Sequence, residues 1–308
     1  MTVILHSGLE GDLRLAAALD RNLIALLHDS ASIRTVPGAL LDFGSVNDTG
    51  SDTKTVRLAG LDGYSPMTTT AAENTDVSTT ALVDSHADIA VVRGSLRHDI
   101  SDLAALTGFR GSDVDPERLA LSMVGAFEKW VMDLLATAIQ SAGTDVGSSG
   151  VNMSDDDFHD AIGTLELSSA EAGAFTCLLH NRQWVDLQES LRSTGGVMGF
   201  TSATAEMLAI KGQGYAGSYL GVDIYVSSRC ATDGTNRHGA MWGTGFLGIA
   251  YGDPNPTMLS GVVRAGPSPL LVEIQRDSSA ATSEIIGSGY CGVSIVEDAR
   301  GVGIVTDA

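Results

Sequence analysis

The sequence predicts an α+β fold: an N-terminal arm, a long β-hairpin, one long helix, an α/β region and a β-rich close. Three features carry that expectation. Residues 45–100 set two β-prone runs around a long polar tip. Residues 116–140 hold an unbroken apolar stripe at helical spacing. From residue 154 onward, short helical and strand-like patterns alternate, and the chain ends on three strands. At 308 residues and 44% hydrophobic content, it can bury a substantial core, as one large domain or two smaller ones.

In 12–28, Leu13, Leu15, Ala16, Leu19, Leu23, Ile24, Leu26 and Leu27 recur near a helical period, with Arg14, Asp20, Arg21 and Asn22 between them. This predicts a terminal amphipathic helix that must pack on its own domain or on a neighbour. Strand-like 53–60 then runs into the polar stretch 61–80, and 81–96 returns as a strand. The pattern is that of an extended hairpin. Its middle lacks apolar material for a core, so its partner is expected on another chain.

Asp115 is placed to cap the long helix, Pro116 suits its first position, and Glu117 favours the positive end of the dipole. Ala120, Val124, Phe127, Val131, Leu134, Leu135 and Ala138 form the stripe, which ends before Gly143. A helix to about Gln140 spans ~37 Å, long for a globular domain. Ser154 ahead of Asp155, Asp156 and Asp157 then caps a short helix toward Gly163. A strand is expected over 174–179 and a helix over 181–193. Residues 201–211 fit either state, and 217–228 read as strands with glycine turns. Pro254, Pro256, Pro267 and Pro269 make 253–269 an irregular loop. The closing strands are LLVEIQRD, SGYCGVSIVED and RGVGIVTD. No fixed-period repeat supports a solenoid or propeller.

Charge narrows the function. Asp plus Glu total 38 against 18 Lys plus Arg, a formal net charge of −20. Such a chain cannot bind DNA by broad phosphate neutralisation. It suits the inner wall of a container that faces DNA without adhering to it. Lysine occurs only at Lys54, Lys129 and Lys211, with Arg and Asp dominating their charge classes. That bias fits a strongly saline cytoplasm, where a Debye length of ~3 Å at molar salt screens self-repulsion. A GC-rich genome gives the same residue bias but does not readily give the charge. No 18-residue apolar run predicts a membrane span. The N-terminal residues lack a signal-peptide pattern, so synthesis and folding are expected in a cytoplasm. Cys177, Cys230 and Cys291 are far apart with no CxxC pair, which predicts buried thiols and neither a disulfide framework nor a zinc site.

Enzyme motifs fail on context. GSGYCG at 287–292 has no Lys and lies between strands, so turn glycines explain it better than a phosphate loop. The GxG of 211–221 opens a strand, not a helix, which excludes a dinucleotide fingerprint. There is no G-x-S-x-G elbow. His86 and Asp88 share a strand face without a third metal ligand. Asp155, Asp156 and Asp157 are explained by capping and the helix dipole, at ~1 kcal/mol each or less, without invoking a hard cation. Arg93, Arg97, Arg110 and Arg118 make a modest basic cluster whose carboxylate partners could lie on neighbouring copies. No catalytic, cofactor-binding or metal-binding residue is expected.

The order of these pieces resembles the major capsid proteins of tailed viruses, bacteriophage or haloarchaeal, which share the Hong Kong 97 fold. The resemblance implies an N-terminal arm (1–43), an E-loop hairpin (44–97) and a peripheral domain carrying the spine helix (98–150). An axial α/β domain (151–250) and a return to the β-rich peripheral domain (251–308) would follow. GAFTCLLHNRQWVDLQESLRS resembles the family's axial strand-then-helix, GSYLGVDIYVSS its next strand, and VEIQRDSSAATSEIIGSGYCGVSIVEDARGVGIVTDA its closing peripheral strands. Some members cross-link through an E-loop lysine and a peripheral asparagine. Lys54 is the only lysine of this hairpin and lies at its base, so that chemistry is not carried over. The N-terminus has no long charged helical scaffolding region, which implies a separate scaffolding protein or none.

The implied function is a major capsid protein: many copies in hexamers and pentamers of an icosahedral shell around double-stranded DNA, assembled in a host cytoplasm. Scaffolding, portal and decoration proteins would be its partners, with no membrane and no cofactor. An encapsulin-like compartment shell would share the fold. An α/β enzyme with scattered site residues is the alternative from another class.

Overall fold

In the computed structural model the described residues are 40–46, 51–59, 84–101, 116–168, 174–194, 199–211, 214–230, 232–252, 262–264 and 270–307. The expected helix at 12–28, the hairpin tip, the cap at Asp115 and most of the proline-rich loop lie outside them. The first elements are β1 (Leu40–Ser45), β2 (Thr53–Ala59), β3 (Asp84–Ala90), β4 (Val92–Ser101) and helix α1 (Pro116–Gln140). Next come β5 (Asp145–Gly147), α2 (Asp155–Ser168), β6 (Thr176–His180), α3 (Asn181–Thr194), β7 (Phe200–Ser202) and α4 (Ala205–Lys211). Strands β8 (Tyr215–Tyr219), β9 (Val222–Ser227), β10 (Asn236–Trp242), β11 (Leu247–Tyr251) and β12 (Val262–Arg264) follow. The chain closes with β13 (Leu270–Asp277), β14 (Thr282–Ile295), a 3-10 turn (Asp298–Arg300) and β15 (Gly301–Asp307).

Two sheets and one helix organise these elements. The six-stranded sheet runs β1-β11-β14-β13-β12, with β4 also paired to β14. One edge of β14 takes β4, and the other takes β13 and then β11, so that Cys291 has Val92 on one side and Tyr251 on the other. The seven-stranded sheet runs β5-β15-β10-β6-β9-β8-β7. Period-2 alternation buries both of its faces: Cys177, Leu179 and Met241 point to one apolar cluster, Leu178, Ala240 and Trp242 to another. Helices α2 and α3 cover the first face with Phe158, Ala161, Leu165, Leu187 and Leu191. Helix α1 covers the second and also lies on the six-stranded sheet, so one cluster joins Val124, Val131 and Leu135 to both sheets.

The predicted α1 stripe is the buried face, apart from Leu134, which is half-buried, and Ala120, whose side chain is outside the described residues. The seat beneath α1 was not foreseen. GSGYCG is no turn but the interior of β14. A Cβ on Gly289 would collide with the Phe127 ring, and one on Gly94 of β4 would lie 2.7 Å from the Trp130 ring. Glycine there lets two aromatic side chains of α1 lie directly on the strands.

Other elements depart from expectation for physical reasons. Helix α2 passes Gly163 and ends at Ser168. A mid-helix glycine costs about 1 kcal/mol, which burying Leu165 beyond it offsets. Val262–Arg264, expected as loop, forms β12 and pairs with β13. Sheet membership also cuts across the expected ranges: β11 joins the six-stranded sheet, and β15 leaves β13 and β14 for the seven-stranded one. The turn Asp298–Arg300 carries the chain across, held where Gly243 N donates to Arg300 O at 2.9 Å. Val302 and Ile304 of β15 then complete the apolar layer beneath α2 and α3.

Gln183, fully buried on α3, ties this layer together. Its Oε1 accepts from His180 N at 3.0 Å, and its Nε2 donates to Arg237 O and Ile304 O, both at 3.1 Å. Strands β6, β10 and β15 are thereby linked through one satisfied amide.

Two glycine substitutions test the α1 seat. Gly289→Ala should lower stability by about 1–3 kcal/mol through overpacking against Phe127. Gly125→Ala, at an α1 position with open space around it, should raise it by up to about 1 kcal/mol. Urea-unfolding midpoints read both, and equal shifts would rule out a packing role for Gly289.

Candidate functional site

The structure spreads the sequence-flagged residues apart. His86 and Asp88 are exposed on β3, and no group of three or more His, Cys, Asp or Glu fit for a metal occurs among the described residues. Lys211, which opens the glycine-containing stretch, is engaged by Asp223 and lies 4.7 Å from the Tyr215 ring centroid. Burial works against the Lys211 charge, but the Asp223 carboxylate overrides it and raises the pKa. The three cysteines are buried and unbridged, and burial raises the Cys177 thiol and pushes Cys230 to about 12. Nucleophilic thiolate chemistry is thereby disfavoured at both. Ser154 and Asp157 form the expected cap: Asp157 N donates to Ser154 Oγ at 3.2 Å, and Ser154 N to Asp157 Oδ2 at 2.9 Å.

The hairpin is the feature with no catalytic reading. Strands β2 and β3 pair in antiparallel register from Thr53↔Ala90 to Ala59↔Asp84. Only Val91 separates β3 from β4, and its N–H donates to Asp52 O at 2.8 Å. Residues 84–101 therefore run as one nearly continuous arm of about 59 Å at 3.3 Å per residue. Its lower half pairs with β14 over ten positions, from Val92↔Cys291 to Ser101↔Thr282. Its upper half leaves the sheet as a two-stranded ribbon.

The ribbon base is not core-less, as the composition of the hairpin suggested. Val46, Val56, Ile89, Ala250 and Val296 form a small buried cluster, with Phe43, Ala87 and Val91 packed against it. The hairpin supplies Val46, Val56, Ala87, Ile89 and Val91, and Phe43 of β1, Ala250 of β11 and Val296, just past β14, complete the cluster from outside it. The base is thereby fixed in direction on its own subunit, while the tip at 61–80 lies outside the described residues.

Charges around the arm are satisfied within the chain. Arg97, expected to seek carboxylates on neighbouring copies, bonds Asp99 through Nε at 2.7 Å and Nη2 at 3.1 Å, and Glu284 at 2.7 Å. Arg93 Nη2 donates to Ser288 Oγ at 2.8 Å. Arg110 and the Arg118 side chain lie outside the described residues. Beneath α1, the glycines leave a pocket of about 180 Å³ lined by Gly94, Met123, Phe127, Trp130, Gly287 and Gly289. Its lining is mostly apolar, with Ser95 beside Leu96, Ala126 and Leu270 completing it.

No protein-family model and no curated protein matches this chain. Solved structures do. The chain is similar to the capsid of Cyanophage P-SCSP1u at a TM-score of 0.60 and 14% identity, over 90% of this chain and 89% of that one. A chain of Mycobacterium phage Che8 is similar at 0.57 and 15% identity, over 82% and 84%. The holo-SrpI encapsulin complex from Synechococcus elongatus is similar at 0.57 and 14% identity, over 83% of each chain. At these identities what is shared is the fold. It is the Hong Kong 97-like capsid fold, as the order of the sequence pieces implied.

A pH dependence follows from the contact between β8 and α2. The buried Tyr219 hydroxyl donates to Asp155 Oδ1 at 2.9 Å, and burial, with that carboxylate, raises the phenol from 10.0 to about 12. The protonated phenol is the stabilised form, so its contribution is complete below pH 10 and is lost as pH rises toward about 12. The stability gap between wild type and Tyr219→Phe should narrow across that window. A gap that stays constant in urea titrations there would refute the linkage.

Proposed function

We propose that this chain is a shell subunit: a major capsid protein whose many copies form the hexamers and pentamers of an icosahedral shell around the double-stranded DNA of a tailed virus. The observation that carries the reading is the anchored ribbon. Among the described residues, an arm fixed on ten paired positions of β14 projects as a two-stranded ribbon with no further strand paired to it. A stable two-stranded ribbon in water needs something to lie on, and in a closed ring every copy supplies that surface to the next. The capsids among the structures that share this fold support the same reading, and no catalytic step is assigned.

The expected division into an arm (1–43), E-loop (44–97), peripheral (98–150 and 251–308) and axial (151–250) parts is retained, with β11 and β15 crossing between sheets. The net charge of −20 supports a shell wall that does not hold DNA by ion pairing. It also supports assembly in a saline host cytoplasm, where salt screens repulsion between copies. Scaffolding, portal and decoration proteins complete the proposed partners. Among the described residues no helix is long and apolar enough to cross a membrane. The likeness to an encapsulin favours one second reading, a compartment shell holding a protein cargo.

Negative-stain microscopy of the purified chain in low and in molar salt should show hollow polyhedra or hexameric rings, better preserved in molar salt. Double-stranded DNA in particles from the native source supports the virus reading, and a co-purifying enzyme the compartment reading. A homogeneous monomer in both buffers at every concentration would overturn both. Replacing residues 60–83 with a short Gly-Ser linker should abolish shells while leaving the circular dichroism of the subunit unchanged. Intact shells from that variant would remove the hairpin from the assembly mechanism.

A further inference from the structure

An open groove of about 440 Å³ lies between α2 and β5, the terminal strand of the seven-stranded sheet. Asp145, Val146 and Gly147 line one side, and Asp160, Gly163 and Leu167 of α2 line the other. Three properties of this groove point to one kind of occupant.

The first is charge. Helix α2 carries Asp155, Asp156, Asp157, Asp160 and Glu166 and no Lys or Arg. Asp157 is engaged in the cap and Asp155 accepts from Tyr219, but Asp160 has no ion pair among the described residues. Asp145 is exposed on β5, its carboxylate lying close over Gly303 of β15, and it has no salt bridge among those residues. Burial raises its pKa, nearby Asp298 adds to the shift, and His238 opposes it. A cation brought to Asp145 would relieve both burdens. The histidine on the rim, His159, has its Nε2 3.8 Å from Asp155 Oδ1.

The second property is apolar. Leu167 stands at the end of the groove with 91% of its surface exposed, on an otherwise acidic helix. The third is backbone. Among the described residues strand β5 pairs with β15 alone, so its outer edge can accept an added strand.

We infer that this groove docks a short extended cationic segment of a protein other than the shell subunit. The segment adds as a strand along β5, points Arg or Lys at Asp145 and Asp160, and rests an apolar side chain on Leu167. A second copy of this chain is the poorer occupant, because it brings its own net charge of −20 to an acidic rim. The groove belongs to a single subunit, so the inference does not depend on what the shell encloses.

Fluorescence anisotropy tests it on unassembled subunits and on assembled particles, with a labelled peptide of alternating arginine and leucine as probe. The double variant Asp145→Asn/Asp160→Asn and the single variant Leu167→Ser should each weaken binding by about tenfold or more. Asp133→Asn, on the exposed face of α1, should leave it unchanged, and a peptide of alternating arginine and serine should bind more weakly. Equal weakening by Asp133→Asn would reveal general attraction to an acidic surface and overturn the inference. So would binding by free subunits that disappears on assembly, or groove variants that lose particles in negative stain. Either result would make the groove a contact between copies. Failure to bind with particles intact sinks the groove proposal alone and leaves the shell reading standing.

Discussion

A helix of 25 residues cannot be held along its length by propensity, since helical stability in proteins comes mainly from packing. Helix α1 meets this constraint by lying between two sheets at once. Met123 and Phe127 rest on the glycines of β14, and Trp130 on Gly94 of β4. The same apolar cluster extends to Leu178 and Ala240 of the other sheet. Each fully buried side chain of that stripe contributes roughly 1.5–3 kcal/mol relative to exposure. No single sheet could offer α1 so many positions. The two sheets share no strand, so the helix, together with Phe246 packed on Gly301 and the Gly243–Arg300 hydrogen bond, joins them into one body on which the hairpin arm is based.

The arm shows what such rigidity is for. Because β3 continues into β4 with only Val91 between them, the ribbon is an extension of a strand already seated under α1 and not a flexible loop. Its base is closed by the cluster around Ile89, which borrows Ala250 and Val296 from elements distant in sequence. A projecting element whose direction is set at its root loses less conformational entropy on docking than a free tail. Two weakly attractive neighbours can then still make a specific contact.

Much of this was legible in the sequence, and what was missed shares one cause. The α1 stripe, the cap at Ser154 and Asp157, the hairpin strands and the order of β6, α3, β8 and β9 depend on local periodicity, which a short window captures. The interior glycines of β14 were read as turns because glycine usually punctuates strands. Their reason lies in Phe127, more than a hundred residues away. The same blindness to distant partners put β15 with β13 and β14, although Val302 and Ile304 belong beneath α2 and α3. Arg97 was expected to reach across copies and pairs instead with Asp99 and Glu284. The groove beside β5 had no signal at all. A three-residue strand is too short to show alternation, and the acidic run was rightly read as a cap without revealing that Asp145 would face Asp160.

Charge and geometry then fit together. Repulsion between subunits of −20 acts over the Debye length, whereas backbone pairing and apolar contact act only at touching distance. At low ionic strength the long-range term dominates the approach. At molar salt it shrinks to ~3 Å, and the short-range terms decide. Hydrogen bonds along a strand and contacts between apolar side chains do not weaken as exposed ion pairs do when salt rises. A subunit that projects a rigid β-ribbon and keeps Arg97 paired within its own chain therefore uses the class of contact that survives those conditions. On the proposed reading, high acidity and self-assembly are compatible because repulsion and contact act over different distances.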